Sequence, residues 1–569
     1  MRRVLVCGFV VLVLLVIGGL SATDKAAAAD EFPQNNAWYQ ATPSVVWCGD
    51  EDSTTTFEVH IVERSDVARV WMTELGTDED EGRAELFDDG THGDIAAGDG
   101  IFTLGDVVLP CEVDRFFDFG WDRWLGFLRV ELRDGTQIGN NYGLFVGLVD
   151  PAYKNQFEVT ELAPGITATA YGVFLEDTDH EVIDDYPVSS VYCGTTNFVA
   201  YQKLYSVFGD DFDFASVMPG MVVFRPENLA ENVPYNVLVA NEVQHIGIDL
   251  FDNSAVFGSA GRLKSATFQS FATIAIFDHE IAHTWGAAIG QSLELLSPIY
   301  TWDVDQGHWN ENADMEGQLG AYFNDEGAVG HFSHLGGETW QLISNHTTEK
   351  YSPLELYVMG LVPPEQVPPI QILESPDVTD TLNISAESYR TVTIEEIMAA
   401  EGGARIPSSD ESQKDFTMAF IVTQDRPFDD AARAFFSLMS YQLASKDGPT
   451  EARPNLSPFY WATGERATIE TMLPLDLTTP LMPGQTEEVA EVPEPDVEET
   501  IETAAPTTAT TVEEQVAEDA VAQEPPPVDE AIEETVEDSS AGRNLLLIGI
   551  LVGLVVVPAS FFAGRRLRG

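Results

Sequence analysis

The stretch FDHEIAHTWG contains two histidines and a glutamate, His279, Glu280 and His283, at the spacing HExxH. On an α-helix, residues i and i+4 lie about 40° apart around the axis, so both imidazoles would face one side and could bind one metal ion. Zinc lowers the pKa of a bound water to about 7, and a neighbouring carboxylate can take the proton as the water attacks a carbonyl. The motif therefore predicts zinc-assisted hydrolysis of an amide bond, with Glu280 as the general base.

The residues around the motif favour a bound metal over two solvated histidines. Apolar side chains such as Ile274, Phe277 and Ile281 surround this stretch on nearly all sides, which is typical of a buried helix. Two imidazoles and a carboxylate would be costly inside such a helix without a partner. We therefore predict one long, largely buried helix over residues 265–286 that carries a metal site.

A catalytic zinc has three protein ligands, and the motif supplies two of them. In the metzincin pattern HExxHxxGxxH, Gly286 matches the glycine, but Ile289 stands at the third-ligand position and cannot bind zinc. His308 follows a glycine in a loop-like stretch that could fold back, whereas Glu316 would give a thermolysin-like set but does not lie in a predicted helix. The candidates for the third ligand are Glu294, Asp303, Asp305, His308, Glu311, Asp314, Glu316, His331, His334 and His346.

The chain that must position the motif, residues 155–475, alternates helical and strand-like stretches, which is typical of an α+β domain. A Gly-rich extended segment, 241–263, is expected to be an edge strand beside the motif helix, where glycine allows a substrate backbone to approach. His245 in that segment is predicted to be a surface residue. Helices are predicted over 196–214, 393–400 and 428–445, and strands over 218–224, 235–240 and 416–423.

Residues 31–150 alternate apolar and polar side chains between turn-rich breaks, which predicts half-buried β-strands. Cys48 and Cys111 flank this region and are predicted to form a disulfide outside the cell, while Cys193 stays unexplained. A Gly/Asp loop within the region, residues 86–103, resembles a stretch found in immunoglobulin-like β-sandwich modules of secreted bacterial proteins. Its aspartates could hold calcium or could meet the backbone requirements of turns. They are Asp88, Asp89, Asp94 and Asp99.

Both ends of the chain carry segments typical of an exported and anchored protein. Residues 1–29 combine a basic start, an apolar run and small residues, as a signal peptide does. Residues 545–563 are free of charge and long enough to cross a ~30 Å hydrocarbon core, and the basic tail 564–569 would stay in the cytoplasm. Before them, residues 476–543 read as a disordered acidic stalk. We therefore predict a single-pass protein of the cell membrane with a large extracellular part.

The formal net charge of the chain is −66. A surface this acidic argues against nucleic acid or an anionic lipid surface as a partner. Residues 487–538 of the acidic stalk carry only nineteen Asp or Glu side chains, with no Lys or Arg, so the folded part is also strongly acidic. This charge fits adaptation to a salty medium as well as it fits cation binding.

The segment from 197 to 367 resembles a group of secreted bacterial HExxH metalloproteases that are metzincin-like. The shared elements are HEIAHTWG, GHWN…DMEG and YSPLELYVMGLVPPEQV, over roughly a third of the chain. A His-Trp pair recurs after the motif helix in that group, which implies His308 as the third zinc ligand. Met359 and Gly360 could form a metzincin-like methionine turn, or could simply end a core helix. Tyr351, His331 and His334 are left open as groups that could stabilise an oxyanion.

These observations predict a multidomain protein: an immunoglobulin-like β-sandwich over 31–150, an α+β zincin-like metalloprotease domain over 155–475, the disordered acidic stalk and the C-terminal transmembrane helix. The predicted function is a cell-surface zinc metalloendopeptidase that cleaves extracellular proteins or peptides. Its predicted zinc ligands are His279, His283 and His308, and calcium is a second candidate cofactor. The alternative is a non-catalytic surface adhesion protein with a metal-stabilised zincin-like fold.

Overall fold

The computed structural model shows a β-rich chain with strands in several sheets and, within the described residues, seven α-helices. All described residues belong to one compact unit. They are 37–61, 66–74, 83–111, 119–178, 182, 198–220, 235–269, 277–297, 307–315, 317–320, 322–323, 329–344, 350–377, 383–447 and 458–483. Across these ranges no helix is both long enough and apolar enough to cross a membrane. The predicted signal peptide 1–29, transmembrane helix 545–563 and tail 564–569, and Cys193, lie outside them.

Eight strands of the N-terminal region form two sheets that enclose a common core. The strands are β1 (Ala37–Thr42), β2 (Val45–Trp47), β3 (Thr55–Ile61), β4 (Val67–Glu74), β5 (Arg83–Leu86), β6 (Ile101–Val107), β7 (Trp121–Leu132) and β8 (Gln137–Val149). One sheet has the order β1-β3-β6 and the other β2-β8-β7-β4-β5. Every second residue of β3 is buried, and Phe57, Met72 and Val146 meet in the core between the sheets. The alternating pattern therefore predicted this β-region well.

The predicted disulfide between Cys48 and Cys111 is confirmed, with a Cα–Cα distance of 4.9 Å. It joins the end of β2 to the chain after β6. A bridge that closes a loop of this kind typically stabilises a domain by about 2–4 kcal/mol.

The central element is an eight-stranded mixed sheet in the order β13-β16-β12-β22-β11-β10-β9, with β23 also paired to β22. Its strands are β9 (Thr160–Ala163), β10 (Ile166–Ala168), β11 (Val173–Glu176), β12 (Phe214–Pro219), β13 (Tyr235–Leu238), β16 (Ser265–Phe268), β22 (Asp415–Gln424) and β23 (Thr468–Glu470). Strand β22 runs parallel to β11, β12 and β23. It is buried on both faces, which explains its continuous apolar sequence.

The remaining elements surround this sheet. The helices are α1 (Val199–Val207), α2 (Ser254–Phe257), α3 (Phe277–Ala282), α4 (Pro353–Met359), α5 (Ile394–Ala400), α6 (Asp430–Ala444) and α7 (Phe459–Ala462). The smaller strands are β14 (Ala240–Asn241), β15 (Phe251–Asp252), β17 (Tyr322–Phe323), β18 (Val329–Gly336), β19 (Thr339–Ser344), β20 (Ile370–Glu374) and β21 (Ser388–Val392). The predicted helices over 393–400 and 428–445 are therefore present, whereas the helix predicted over 196–214 ends at Val207 and Phe214 already begins strand β12.

Two predictions around the motif are wrong. The predicted long helix over 265–286 is instead strand β16 followed by the short helix α3, because β16 pairs with both β12 and β13. A short buried strand and a buried helix have the same apolar pattern in sequence. The segment 241–263 is not an edge strand either; it forms the β14–β15 pair and α2. A β-carbon on Gly247 would lie 2.2 Å from the Ala288 carbonyl oxygen, so a tight loop packs here. Among the described residues, the strand at this end of the central sheet is β13, which pairs antiparallel with β16.

The five-stranded N-terminal sheet and helix α6 contribute side chains to one hydrophobic core. Phe435 of α6 is fully buried and meets the Trp121 ring edge-on, with ring centroids 5.2 Å apart. A β-carbon on Gly147 of β8 would lie 3.0 Å from the Phe435 ring, so the helix packs directly on the sheet. The two predicted domains therefore complete each other's cores.

Replacing Phe435 with alanine is expected to lower the free energy of unfolding by about 3–5 kcal/mol, because a fully buried ring leaves a cavity between sheet and helix. Hydrogen exchange should show protection falling in β7, β8 and α6 together. The control Phe57→Ala removes an equally buried ring from inside the N-terminal core. Loss of protection in α6 alone, with β7 and β8 unchanged, would mean that the two parts unfold separately.

The packed chain extends further than predicted. Residues 476–483, assigned to the stalk, lie against the folded part: Met482 is 1% exposed and the Tyr441 hydroxyl donates to the Pro483 carbonyl at 3.1 Å. The stretch LTTPLMP contains enough apolar side chains to bury. The rest of the predicted stalk, from 484 to 543, lies outside the described residues.

Candidate metal centre

Helix α3 places the first two histidines. Phe277 and Ile281 are one i,i+4 pair and are fully buried, while His279 and His283 are another pair, about 200° away around the helix. His283 follows the last helical residue, and hydrogen bonds from 284–286 back to 281–282 continue the turn. The His279 and His283 ring centroids lie 5.0 Å apart. The spacing of the motif thus brings both imidazoles to one side, as predicted.

The chain then reverses and brings His308 to the same point. Leu296 and Trp309 form an antiparallel bridge, and the Ser297 N–H donates to the His308 carbonyl at 2.8 Å. Trp309 is fully buried, and its N–H donates to the Leu319 carbonyl at 2.9 Å. His308 is therefore held between two fixed backbone segments, and its ring lies 5.0 Å from that of His279 and 5.1 Å from that of His283, between centroids.

The three imidazoles present their Nε2 atoms to one another. His308 Nε2 lies 3.1 Å and His283 Nε2 lies 3.3 Å from His279 Nε2. A tetrahedral zinc with bonds of about 2.0–2.1 Å holds its ligand atoms about 3.3–3.4 Å apart. The spacing of the nitrogens therefore fits a shared ion. His283 is buried, while His279 and His308 keep part of their surface open, so the group is reachable from one side.

The tautomer of His279 is fixed by its surroundings. Its Nδ1 donates to the Gln318 carbonyl at 2.6 Å, which leaves the Nε2 lone pair directed at the other two rings. Burial lowers the pKa of all three imidazoles, that of His308 to about 3 and that of His283 well below its ordinary value. The rings are therefore neutral near pH 7, which is the form that binds a metal.

Glu280 is the carboxylate of the motif and is 5% exposed. Burial raises its pKa to about 8. Asp278, two residues before Glu280, is also buried, and burial raises the pKa of its carboxyl well above the usual range. Its backbone carbonyl accepts a hydrogen bond from the Tyr351 hydroxyl at 2.8 Å. Tyr351 therefore supports helix α3 through this bond, and nothing in its contacts favours the role of oxyanion stabiliser.

The other candidates for the third ligand do not join the three histidines among the described residues. Glu294 forms an exposed ion pair with Arg390 at 2.9 Å, Glu311 accepts a hydrogen bond from Ser297, and Asp314 accepts from the Gln371 N–H at 2.6 Å. His334 is exposed and stacks on Trp340. The backbone of His331 pairs with that of Ile343 between β18 and β19, and its side chain lies outside what the structure describes. Asp303, Asp305, Glu316 and His346 lie outside the described residues.

The aspartates of the Gly/Asp loop meet turn requirements. The Asp88 carboxylate accepts three backbone N–H bonds from residues 98–100, at 2.6–3.2 Å. Asp94 accepts from the N–H groups of 90 and 96, and Asp89 accepts from Thr91. Carboxylate oxygens of Asp88, Asp94 and Asp99 lie within 4.8 Å of one another. The calcium prediction therefore stays a prediction, and the turn interpretation accounts for the contacts.

Met359 ends a regular core helix. Helix α4 begins with a capping box, in which Ser352 and Glu355 exchange hydrogen bonds, and ends at Gly360 with φ 79°. His245, the predicted surface residue, is half-buried and bonds through Nδ1 to the Glu401 carbonyl at 2.9 Å. Neither residue lies in the histidine group.

Gly286 sits where the chain leaves α3, and a side chain there has no room. A β-carbon would lie 2.4 Å from Leu319 Cδ1 and 2.9 Å from the Ala282 carbonyl oxygen. Gly286→Ala is therefore expected to lower the free energy of unfolding by about 1–3 kcal/mol through overpacking. Denaturant titration would measure this loss. The control Gly209→Ala meets only the side chain of Asp211, so an equal loss there would contradict the crowding explanation.

The sequence did not reveal two residues that organise the site, Gln318 and Glu355. Gln318 acts through its backbone carbonyl, which no side-chain pattern can indicate. Glu355 could have been recognised only as the acid of an S-x-x-E capping box, because its contacts with the segments of His279 and His308 depend on tertiary packing.

No protein-family model, curated protein or solved structure matches this chain. The metalloprotease resemblance and the zincin-like fold therefore stay predictions.

Proposed function

We propose that this chain is a zinc metalloendopeptidase. The observation that carries the proposal is the convergence of three imidazole Nε2 atoms, with a buried glutamate directly after His279 in the chain. His279, His283 and His308 would hold the ion, and the described residues offer no fourth ligand to close the site. Structural zinc sites are closed by four protein ligands, whereas catalytic sites keep one position open. The histidine set therefore favours catalysis over a purely structural metal.

A zinc ion bound there would supply a Lewis acid that polarises a carbonyl and acidifies a water. Glu280 would accept the proton of the attacking water and return it to the leaving amine. Burial raises the pKa of Glu280 to about 8, which suits a group that must both gain and release a proton near neutral pH. Gln318 holds His279 in the tautomer that leaves Nε2 bare.

Strand β13 is the proposed place for a protein or peptide substrate. In the described residues it pairs only with β16, antiparallel, so its other side is a sheet edge. Helix α3 contacts both β13 and β16. An extended peptide could add to this edge through main-chain hydrogen bonds. Together with the predicted export and anchoring segments, this gives a cell-membrane enzyme that acts on extracellular proteins.

Metal removal tests the proposal. The purified extracellular part is expected to carry about one zinc per chain and to cleave unfolded protein substrates. Dialysis against a chelator should abolish cleavage, and added zinc should restore it. Elemental analysis and mass spectrometry of the products measure both. Zinc without cleavage of any substrate would favour the alternative, a surface adhesion protein whose metal only stabilises the fold.

A further inference from the structure

We propose that Glu355 is a positioning residue of the metal centre, acting on His279 through the peptide group between Gln318 and Leu319. This role rests on the proposed function only in that the histidines bind a metal. It does not require peptide cleavage.

Glu355 is a buried carboxylate that gathers four N–H donors. It is 1% exposed and accepts from Ser352 N at 2.6 Å, Leu319 N at 2.7 Å, Gln318 N at 3.1 Å and Trp309 Nε1 at 3.1 Å. None of the ion pairs among the described residues includes it. A buried charge is stable only when hydrogen bonds or an opposite charge compensate it, and these four hydrogen bonds compensate the charge of the Glu355 carboxylate.

One of those bonds is linked directly to a histidine. The Gln318 carbonyl and the Leu319 N–H belong to the same peptide group. Its N–H donates to Glu355, and its carbonyl accepts from His279 Nδ1 at 2.6 Å. A peptide whose N–H is bound to a carboxylate is a stronger acceptor, because hydrogen bonds in a chain polarise one another. Glu355 thus strengthens the bond that orients His279 and raises the basicity of its Nε2.

A second bond reaches the segment of His308. Trp309 follows His308 in the chain, and its indole N–H is held by Glu355. The Glu355 carboxylate, on the first turn of α4, therefore binds both the segment that places His308 and the segment that orients His279. A β-carbon on Gly317 would lie 2.2 Å from Glu355 Oε2, so the chain approaches the carboxylate as closely as glycine allows.

A carboxylate is needed because all four partners are donors. It offers about four lone-pair sites, whereas a glutamine of the same shape would turn its NH₂ group towards N–H groups. Glu355→Gln therefore loses acceptors without losing volume. The chain contains a matched control: Glu396 closes a second capping box with Thr393 at the start of α5, is exposed, and has none of the contacts to the histidine segments.

The test is the zinc dissociation constant, measured by chelator competition for the wild type, Glu355→Gln and Glu396→Gln. We expect zinc binding to weaken about 10–100-fold in Glu355→Gln, the usual cost of losing an outer-shell partner, and to stay unchanged in Glu396→Gln. The absorption spectrum of the cobalt-substituted protein should also change in Glu355→Gln alone. A merely structural role would lower stability without moving that spectrum.

Equal zinc affinity and equal cobalt spectra in the wild type and Glu355→Gln would overturn the positioning role while leaving the metal centre intact. Failure of the wild type to bind zinc would overturn both proposals, and tight binding without cleavage would overturn only the peptidase. If Glu355→Gln does not fold, Trp309→Phe removes one of the four bonds and keeps an aromatic ring. Trp309→Phe should weaken zinc binding about tenfold, and an unchanged zinc affinity in this variant would count against the positioning role of Glu355.

Discussion

Glu280→Gln is expected to lower the turnover of a peptide substrate by about 10²–10⁴-fold, the usual contribution of a general base, and to keep about one zinc per chain. Glutamine has nearly the same shape as glutamate, so the variant should keep the packing of this side chain, which is 5% exposed. The loss should therefore appear in kcat, as measured by steady-state kinetics with a quenched peptide.

The matched control for this variant is Asp278→Asn. Asp278 is the neighbouring buried carboxyl in the same helix, and burial also raises its pKa. It belongs to no part of the proposed proton path, so its replacement should leave kcat within a few-fold of the wild type, on the order of the changes seen for uninvolved groups. Equal losses in both variants would point to damage of α3, and full activity in Glu280→Gln would remove Glu280 from the mechanism.

His308→Ala is expected to weaken zinc binding by more than about 100-fold, since loss of an outer-shell partner alone costs 10–100-fold. The reason is geometric: His308 Nε2 lies 3.1 Å from His279 Nε2, and the described residues offer no substitute at that point. Elemental analysis after dialysis measures the loss. His334→Ala, which removes an exposed histidine from the β18–β19 pair, should keep its zinc. Zinc retained in His308→Ala would direct the search to Glu316 and His346.

The sequence predicted those parts of the site that depend on local periodicity. The i,i+4 spacing of His279 and His283 fixes their common direction whatever surrounds them. The end of α4 was readable from Gly360, which follows its last residue. Strand β16 was mistaken for helix because its apolar pattern is short and buried, and only pairing with β12 and β13 decides its conformation.

The position of His308 could not be derived from spacing, because it depends on contacts between distant segments. The bridge between Leu296 and Trp309 and the carboxylate of Glu355 together return the chain to α3. Candidates such as Glu311 and Asp314 had suitable chemistry and stood nearby in sequence. In the folded chain Glu311 accepts a hydrogen bond from the Ser297 hydroxyl and Asp314 accepts one from the Gln371 backbone N–H, so both carboxylates bind neighbouring groups of the protein.

The face of the N-terminal sheet that packs against Phe435 is synthesised long before Phe435 itself. The strands that present Trp121 and Gly147 are complete once residue 149 has been made, but α6, which covers them, begins at Asp430, about 280 residues later. At about 5–20 residues per second, the apolar face stays uncovered for roughly 15–60 s. The nascent chain therefore exposes this apolar face for about half of its own synthesis, and a holding chaperone at that stage would protect it from aggregation.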